Sequence, residues 1–141
     1  MIAMNKYFSK KLFIKNKILT PNYFFLNYKD FLKVNLKKEI KKNKLLFPIV
    51  IKPNDEGSSI GVRICKNIHD LNRSSKSLFR EHAELIFEPY IGGQEIQVAV
   101  INGTPLGAIE LEPKRKFYDY KAKYSKAAKT KHIMPANLTR Y

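Results

Sequence analysis

Residues 47–53 read Phe-Pro-Ile-Val-Ile-Lys-Pro, a β-branched apolar run with a proline near each end. Side chains of this type suit a covered, pleated surface, and proline is kept to strand margins, so the run predicts a short buried strand. Lys52 lies inside that run. A lysine in a strand that otherwise reads as buried requires an anionic partner, and the next residues, Asn-Asp-Glu-Gly-Ser-Ser-Ile-Gly-Val, predict a turn.

The neighbouring segments supply partners for such a strand. Asn5 stands as an N-cap before a basic amphipathic helix over 5–18, and Pro21 ends that pattern. Residues 23–28 predict a short strand. Phe31, Leu32, Leu36 and Ile40 give helical spacing over 29–42. Residues 62–66 alternate like a returning strand, 67–82 predict a helix, and 85–91 another strand ending at Gly92-Gly93. Residues 95–101 and 105–113 flank Asn102-Gly103, the strongest short hairpin signal. Strands outnumber helices in an α+β order, and the three stretches 1–44, 45–112 and 113–141 form one domain with no dividing linker. Residues 114–131 have no clean period and predict a long basic, aromatic loop.

Charge needs this map to be read. The chain of 141 residues carries 27 basic against 12 acidic side chains, a formal net charge of +15. Residues 1–44 hold 12 Lys against Asp30 and Glu39, residues 45–112 hold 6 basic against 9 acidic, and residues 113–141 hold 9 basic against Asp119. The middle is therefore acidic between two basic blocks. Lysine supplies 22 of the basic residues and arginine 5, whereas readers of base edges and phosphate favour the arginine fork. Cys65 is the single cysteine, which excludes an intrachain disulfide and fits a reducing cytoplasm. No apolar run of about 20 residues spans a bilayer, and lysines occupy the place where a signal peptide needs its apolar region.

Three segments carry candidate chemistry. Lys52 with Asp55-Glu56-Gly57-Ser58-Ser59-Ile60-Gly61 could surround a phosphate with successive amides and hydroxyls, although a glycine-serine turn between strands is by itself most often only a hairpin. Its spacing fits neither a P-loop nor the dinucleotide fingerprint. Glu88-Pro89-Tyr90-Ile91-Gly92-Gly93-Gln94-Glu95 places two carboxylates about a tight turn, able to accept from an adenine amino group and ribose hydroxyls; the plain alternative is solvent-facing turn acids. Lys116 to Tyr124 interleaves Tyr118, Tyr120 and Tyr124 with lysines, which suits a loop closing over a ligand, a single-strand nucleic-acid platform, or a solvated loop. His69, His82 and His132 are dispersed, with no metal-ligand spacing. Cys65 reads as a small buried hydrophobe, and Ser58 and Ser59 lack a nucleophile-elbow context.

Taken together, AMNK at 3–6, FPIVIKPNDEGSSIGV at 47–62, LIFEPYIGGQE at 85–95, AIELEP at 108–113, FYDYKAKY at 117–124 and MPANL at 134–138 resemble, in order, the D-alanine–D-alanine ligases of the ATP-grasp superfamily. The resemblance implies an α+β ATP-grasp central domain with an antiparallel sheet and flanking helices, and ATP-dependent joining of two D-alanines through a D-alanyl phosphate for peptidoglycan synthesis. By it, Lys6 and Lys52 bind the nucleotide phosphates. Ser58, Ser59, Ile60 and Gly61 form the loop over the γ-phosphate. Glu88 and the main chain at Ile91 hold adenine, Glu95 the ribose, and Phe117 lines the adenine side. Tyr118, Lys123 and Tyr124 belong to a closing omega loop, with Lys123 near the γ-phosphate and Tyr124 linked through Ser58 to D-alanine binding. It further implies magnesium or manganese held by ligands outside this chain, a cytoplasmic homodimer, and no nucleic-acid or membrane partner. Family members have an N-terminal domain before the AMNK-like segment and metal ligands after MPANL, so the expectation is a central fragment, inactive alone. Asn5 stands where an Asp is usual in the family. The reading from another class is a small basic nucleic-acid-binding protein, which predicts steeply salt-dependent binding to single strands.

Overall fold

A computed structural model describes residues 2–113 and 130–138, in two compact units, Met1–Ile91 and Gly92–Tyr141. In the first unit, a 3-10 turn at Ile2–Met4 precedes helix α1, Lys6–Lys15; strand β1, Phe24–Asn27, leads into helix α2, Tyr28–Phe31, and helix α3, Leu36–Lys42. Strand β2, Ile49–Pro53, strand β3, Arg63–Cys65, helix α4, Ile68–Leu78, and strand β4, Glu84–Pro89, complete it.

The strands form an antiparallel sheet in the order β1-β4-β2-β3, with β2 inside it as its β-branched composition requires. Side chains on a strand alternate between faces, and the register sorts them. Phe87 pairs with Phe24 and Ile51, and Leu85 with Leu26 and Pro53, so these residues share one face. That face packs with Leu36 of α3 and Leu71 and Leu78 of α4 into the core, where Ile49, Ile51, Leu71, Leu85 and Phe87 are fully buried. The Phe24 and Phe87 rings stack at 4.5 Å between centroids. The opposite face carries Phe25, Val50, Lys52, Ile86 and Glu88. Helix α1 covers it, with Tyr7 stacked on Phe25 at 4.5 Å. The first unit is therefore a layer of helices, a sheet, and a second helix.

The spacing over 29–42 predicts one helix, and the structure has two. Asn35 takes an extended conformation and its Oδ1 accepts from the Lys38 amide at 3.2 Å, starting α3 afresh. An N-capping asparagine wins over the apolar spacing that runs across it.

The second unit is an antiparallel sheet of strand β5, Glu95–Ile101, strand β6, Thr104–Glu112, and strand β7, Lys131–Ile133. Asn102 and Gly103 join β5 to β6 with φ of 48° and 79°, the two left-handed residues that a tight hairpin turn needs. The register shifts between Val98 and Val100. Among the described residues, no helix is long and apolar enough to cross a membrane.

Candidate functional site

Strand parity places Lys52 and Glu88 on the α1 face of the sheet, where Lys52 pairs with Ile86 and Val50 with Glu88. The two charged residues are thus diagonal neighbours, within reach of long side chains. They form an ion pair and a hydrogen bond from Lys52 Nζ to Glu88 Oε1. Lys10, about one helical turn after Lys6 in α1, closes on the same carboxylate from the helix side, with Nζ 2.8 Å from Glu88 Oε2. The Lys10 and Glu88 side chains are 10% and 8% exposed. Burial alone would push the Glu88 carboxyl up, but Lys52 and Lys10 outweigh it and hold it below the usual carboxylate range.

Lys6 sits at the first position of α1. Its Nζ donates to the carbonyls of Pro53 at 2.8 Å, Asn54 at 3.5 Å and Glu56. Burial, then the nearby Lys52 charge, lowers the Lys6 ammonium from its ordinary value. Two mutually repelling cations are thereby gathered where β2 leaves the sheet. An anion brought between them would relieve that repulsion.

Asn54 fixes this geometry, and sequence reading passes it over as a turn residue. It is 1% exposed. Its backbone carbonyl accepts the Lys6 amide at 3.0 Å and its Oδ1 accepts the Tyr7 amide at 2.9 Å. Asn5 completes the cap, its Oδ1 accepting from Phe8 at 2.9 Å and its carbonyl from Ser9 at 3.0 Å. The first amides of a helix have no partner within it, and here the strand end and the cap take those of Lys6, Tyr7 and Phe8. Asn54 Nδ2 donates in turn to Glu84 Oε2 at 2.7 Å, which ties the junction to β4.

The predicted glycine-serine loop follows directly. Ser58 and Ser59 have φ of 49° and 63°, and the Ile60 amide donates to the Gly57 carbonyl at 2.9 Å. This is a turn with both central residues left-handed, which glycine or asparagine usually occupies. Gly61 also has a positive φ of 68°, and a Cβ there would lie 2.5 Å from Pro53 Cγ. A glycine is obligatory at that point for both reasons. The loop is held against Pro53 at the end of β2, a few residues after Lys52, and Lys6 reaches its start through the Glu56 carbonyl.

Of the other residues singled out in the sequence, Ile91 closes the first unit and is exposed. Glu95 opens β5 in the second unit. There, Gln94 Nε2 donates to Glu110 Oε1 at 2.9 Å and to the Asn137 carbonyl at 3.0 Å, joining the segments AIELEP and MPANL. Phe117, Tyr118, Lys123 and Tyr124 lie outside the described residues. Cys65 is buried in the core and burial pushes its thiol up. Among the described residues, no three His, Cys, Asp or Glu side chains gather to hold a metal ion.

Antiparallel sheets with flanking helices, and lysines gathered on one sheet face beside a glycine-serine turn, define an α+β protein of the ATP-grasp class. The family model described as D-ala D-ala ligase C-terminus matches residues 12–141. A D-alanine–D-alanine ligase of Pelagibacter ubique is 52% identical over 139 residues, which cover 99% of this chain and 44% of that protein. The D-alanine–D-alanine ligase of Bacillus anthracis superposes with a TM-score of 0.76 at 33% identity, over 98% of this chain and 43% of that one. The same enzyme's complex with ATP gives 0.72 at 26% identity, over 98% and 40%. The chain belongs to the D-alanine–D-alanine ligase family, and it spans under half the length of these relatives.

Proposed function

We propose that this chain carries the nucleotide-gripping part of an ATP-dependent D-alanine–D-alanine ligase. In the proposed reaction one D-alanine carboxylate oxygen bonds to the γ-phosphorus of ATP as the bond to the ADP oxygen breaks. The amine of a second D-alanine then adds at the acyl carbon and expels inorganic phosphate, losing a proton as the peptide bond forms. The observation that carries the reading is the convergence of Lys6 and Lys52 at the end of β2, beside the Ser58–Gly61 turn. Phosphoryl transfer demands that positive charge meet the phosphate oxygens and that water be kept from the acylphosphate.

In the free protein both ammonium groups are held by protein oxygens, Lys6 by carbonyls and Lys52 by Glu88. Phosphate binding on this reading is an exchange of partners. Lys52 turns from Glu88 to a phosphate, and the released Glu88 oxygen accepts from the adenine amino group. Glu95 on the ribose, Ile91 at the base, Ser58 with Tyr124 toward D-alanine, and Phe117, Tyr118 and Lys123 closing over the site complete the assignment by family likeness. The reaction so proposed uses free ATP and D-alanine in the cytoplasm.

Calorimetric titration of the chain with ATP tests the reading. ATP should bind more tightly than adenosine, and Lys52→Met should weaken ATP at least about tenfold, a loss of roughly 1.4 kcal/mol, while leaving adenosine nearly unchanged. Equal affinity of the wild type for ATP and adenosine, or an unaffected Lys52→Met variant, would overturn it.

A further inference from the structure

Lys10 is buried, charged and given no role by the assignment above. Its ammonium donates to Thr20 Oγ1 at 2.8 Å and to the Pro21 carbonyl at 3.2 Å, and it lies 5.0 Å from the centre of the Tyr23 ring. Those partners are all neutral. Among the described residues, the carboxylate paired with Lys10 is that of Glu88. The geometry points to Lys10 as a positioning residue that keeps Glu88 ionised and aimed, so that the site takes purine nucleotides bearing a 6-amino group and refuses those bearing a 6-oxo group. This inference rests on the nucleotide reading of the site.

The argument follows the charge through the exchange of partners. Before binding, Glu88 Oε1 faces Lys52 and Oε2 faces Lys10. Once phosphate engages Lys52, a nearly buried carboxylate would be left with half its compensation, and an uncompensated buried charge neutralises itself by taking a proton. Lys10 prevents that. It has no competing anion, it approaches from α1 rather than along the sheet, and its own helix is fastened to the end of β2 by Asn54. Oε2 therefore stays engaged while Oε1 is free to accept. An anionic oxygen attracts an N–H donor and repels a carbonyl oxygen, whereas a protonated carboxyl can donate to that carbonyl. The charge state of Glu88 thus selects between the two kinds of base.

The groups facing Glu88 can be named element by element. Helix α1 presents Lys10, with Lys6 farther off, and β2 presents Lys52. Strand β1, Phe24–Asn27, carries no ionisable side chain. Removal of Lys10 accordingly leaves the burial of Glu88 opposed by Lys52, with Lys6 farther off.

The test uses Lys10→Met and Lys10→Arg in the whole chain, with Lys10→Gln as a neutral donor should the methionine variant not fold. The first readout is the pH titration of the Glu88 carboxyl carbon by NMR without nucleotide, assigned through Glu88→Gln. The second is the ratio of ATP to ITP affinity. Lys10→Met or Lys10→Gln should raise the Glu88 midpoint by about 1 pH unit or more and lower the ATP to ITP ratio about tenfold. Lys10→Arg should restore both. An unmoved Glu88 titration, an unchanged ratio, or an arginine variant that behaves like the neutral ones would overturn the inference. If the wild type binds neither nucleotide, base selection falls with the nucleotide reading, and the Glu88 titration still decides whether Lys10 holds that carboxylate.

Discussion

Glu88 concentrates more of this protein's electrostatics than any charged residue of the run that leads to it. Two lysines converge on a carboxylate that is nearly closed to solvent, and removing the shared partner is far costlier than removing an exposed pair. Glu88→Gln should lower stability by about 3–5 kcal/mol in urea unfolding at neutral pH, since it strands two cations on one sheet face. The pH dependence has a definite sign. The folded Glu88 pKa lies below its ordinary 4.5, so its contribution is complete above that value and disappears as pH falls through the lower, folded one. The acid limb of a stability profile should therefore be flatter in Glu88→Gln than in the wild type. A wild-type-like acid limb in the variant would refute the assignment.

At the scale of elements, the junction of α1 with β2 shows what sequence can and cannot disclose. Strand β2 is legible because its composition and flanking prolines leave few alternatives, and the β5–β6 turn is legible because Asn102-Gly103 is a local conformational signal. Asn5 is likewise readable as a cap. Asn54 is not, because its role depends on a helix nearly fifty positions earlier, and an asparagine before aspartate reads as any turn. Lys10 is hidden for the same reason: its helix is basic and leaves Phe8, Leu12 and Ile14 exposed, and nothing local says which lysine turns inward to a distant glutamate. The turn at Ser58-Ser59 was legible as a turn, whereas its pair of left-handed serines was not, since serine carries no strong preference for that conformation. Asn54→Ala keeps the backbone contact but strips the Tyr7 amide of its acceptor and Glu84 of its donor. It should cost about 1–3 kcal/mol, and amide exchange at Tyr7 and Phe8 should accelerate more than at Phe87. Uniform acceleration across the first unit would argue against a local clamp.

On the scale of the whole molecule, the two units differ in how they hold their strands. Strands β2 and β4 are buried almost throughout, while β5 and most of β6 are exposed within their own sheet. Buried strand amides open only with the core they belong to, and exposed ones open more readily. Amide exchange should be slowest at Val50, Ile51, Ile86 and Phe87 and faster by about two orders of magnitude or more along Gln97–Val100. Comparable protection in both sheets would contradict this. The formal charge of +15 likewise resolves into places. Lys6, Lys10 and Lys52 are committed around a single carboxylate and a few carbonyls.

The pairing of β2 with β4 also sets which changes evolution can try. Lys52 and Glu88 meet only because each is an even number of positions from Val50 and Ile86 on the α1 side of the sheet, away from the core. A single inserted or deleted residue within β2 would exchange the two faces, sending the lysine into the oily layer beneath and a bare isoleucine toward helix α1. Beyond Pro53 the chain leaves the ladder, and there length is held instead by the buried Asn54 and by Gly61 against the proline. A change of side chain at one position of β2 thus leaves the other positions on their faces, whereas a frame error moves every position up to the proline that ends the strand.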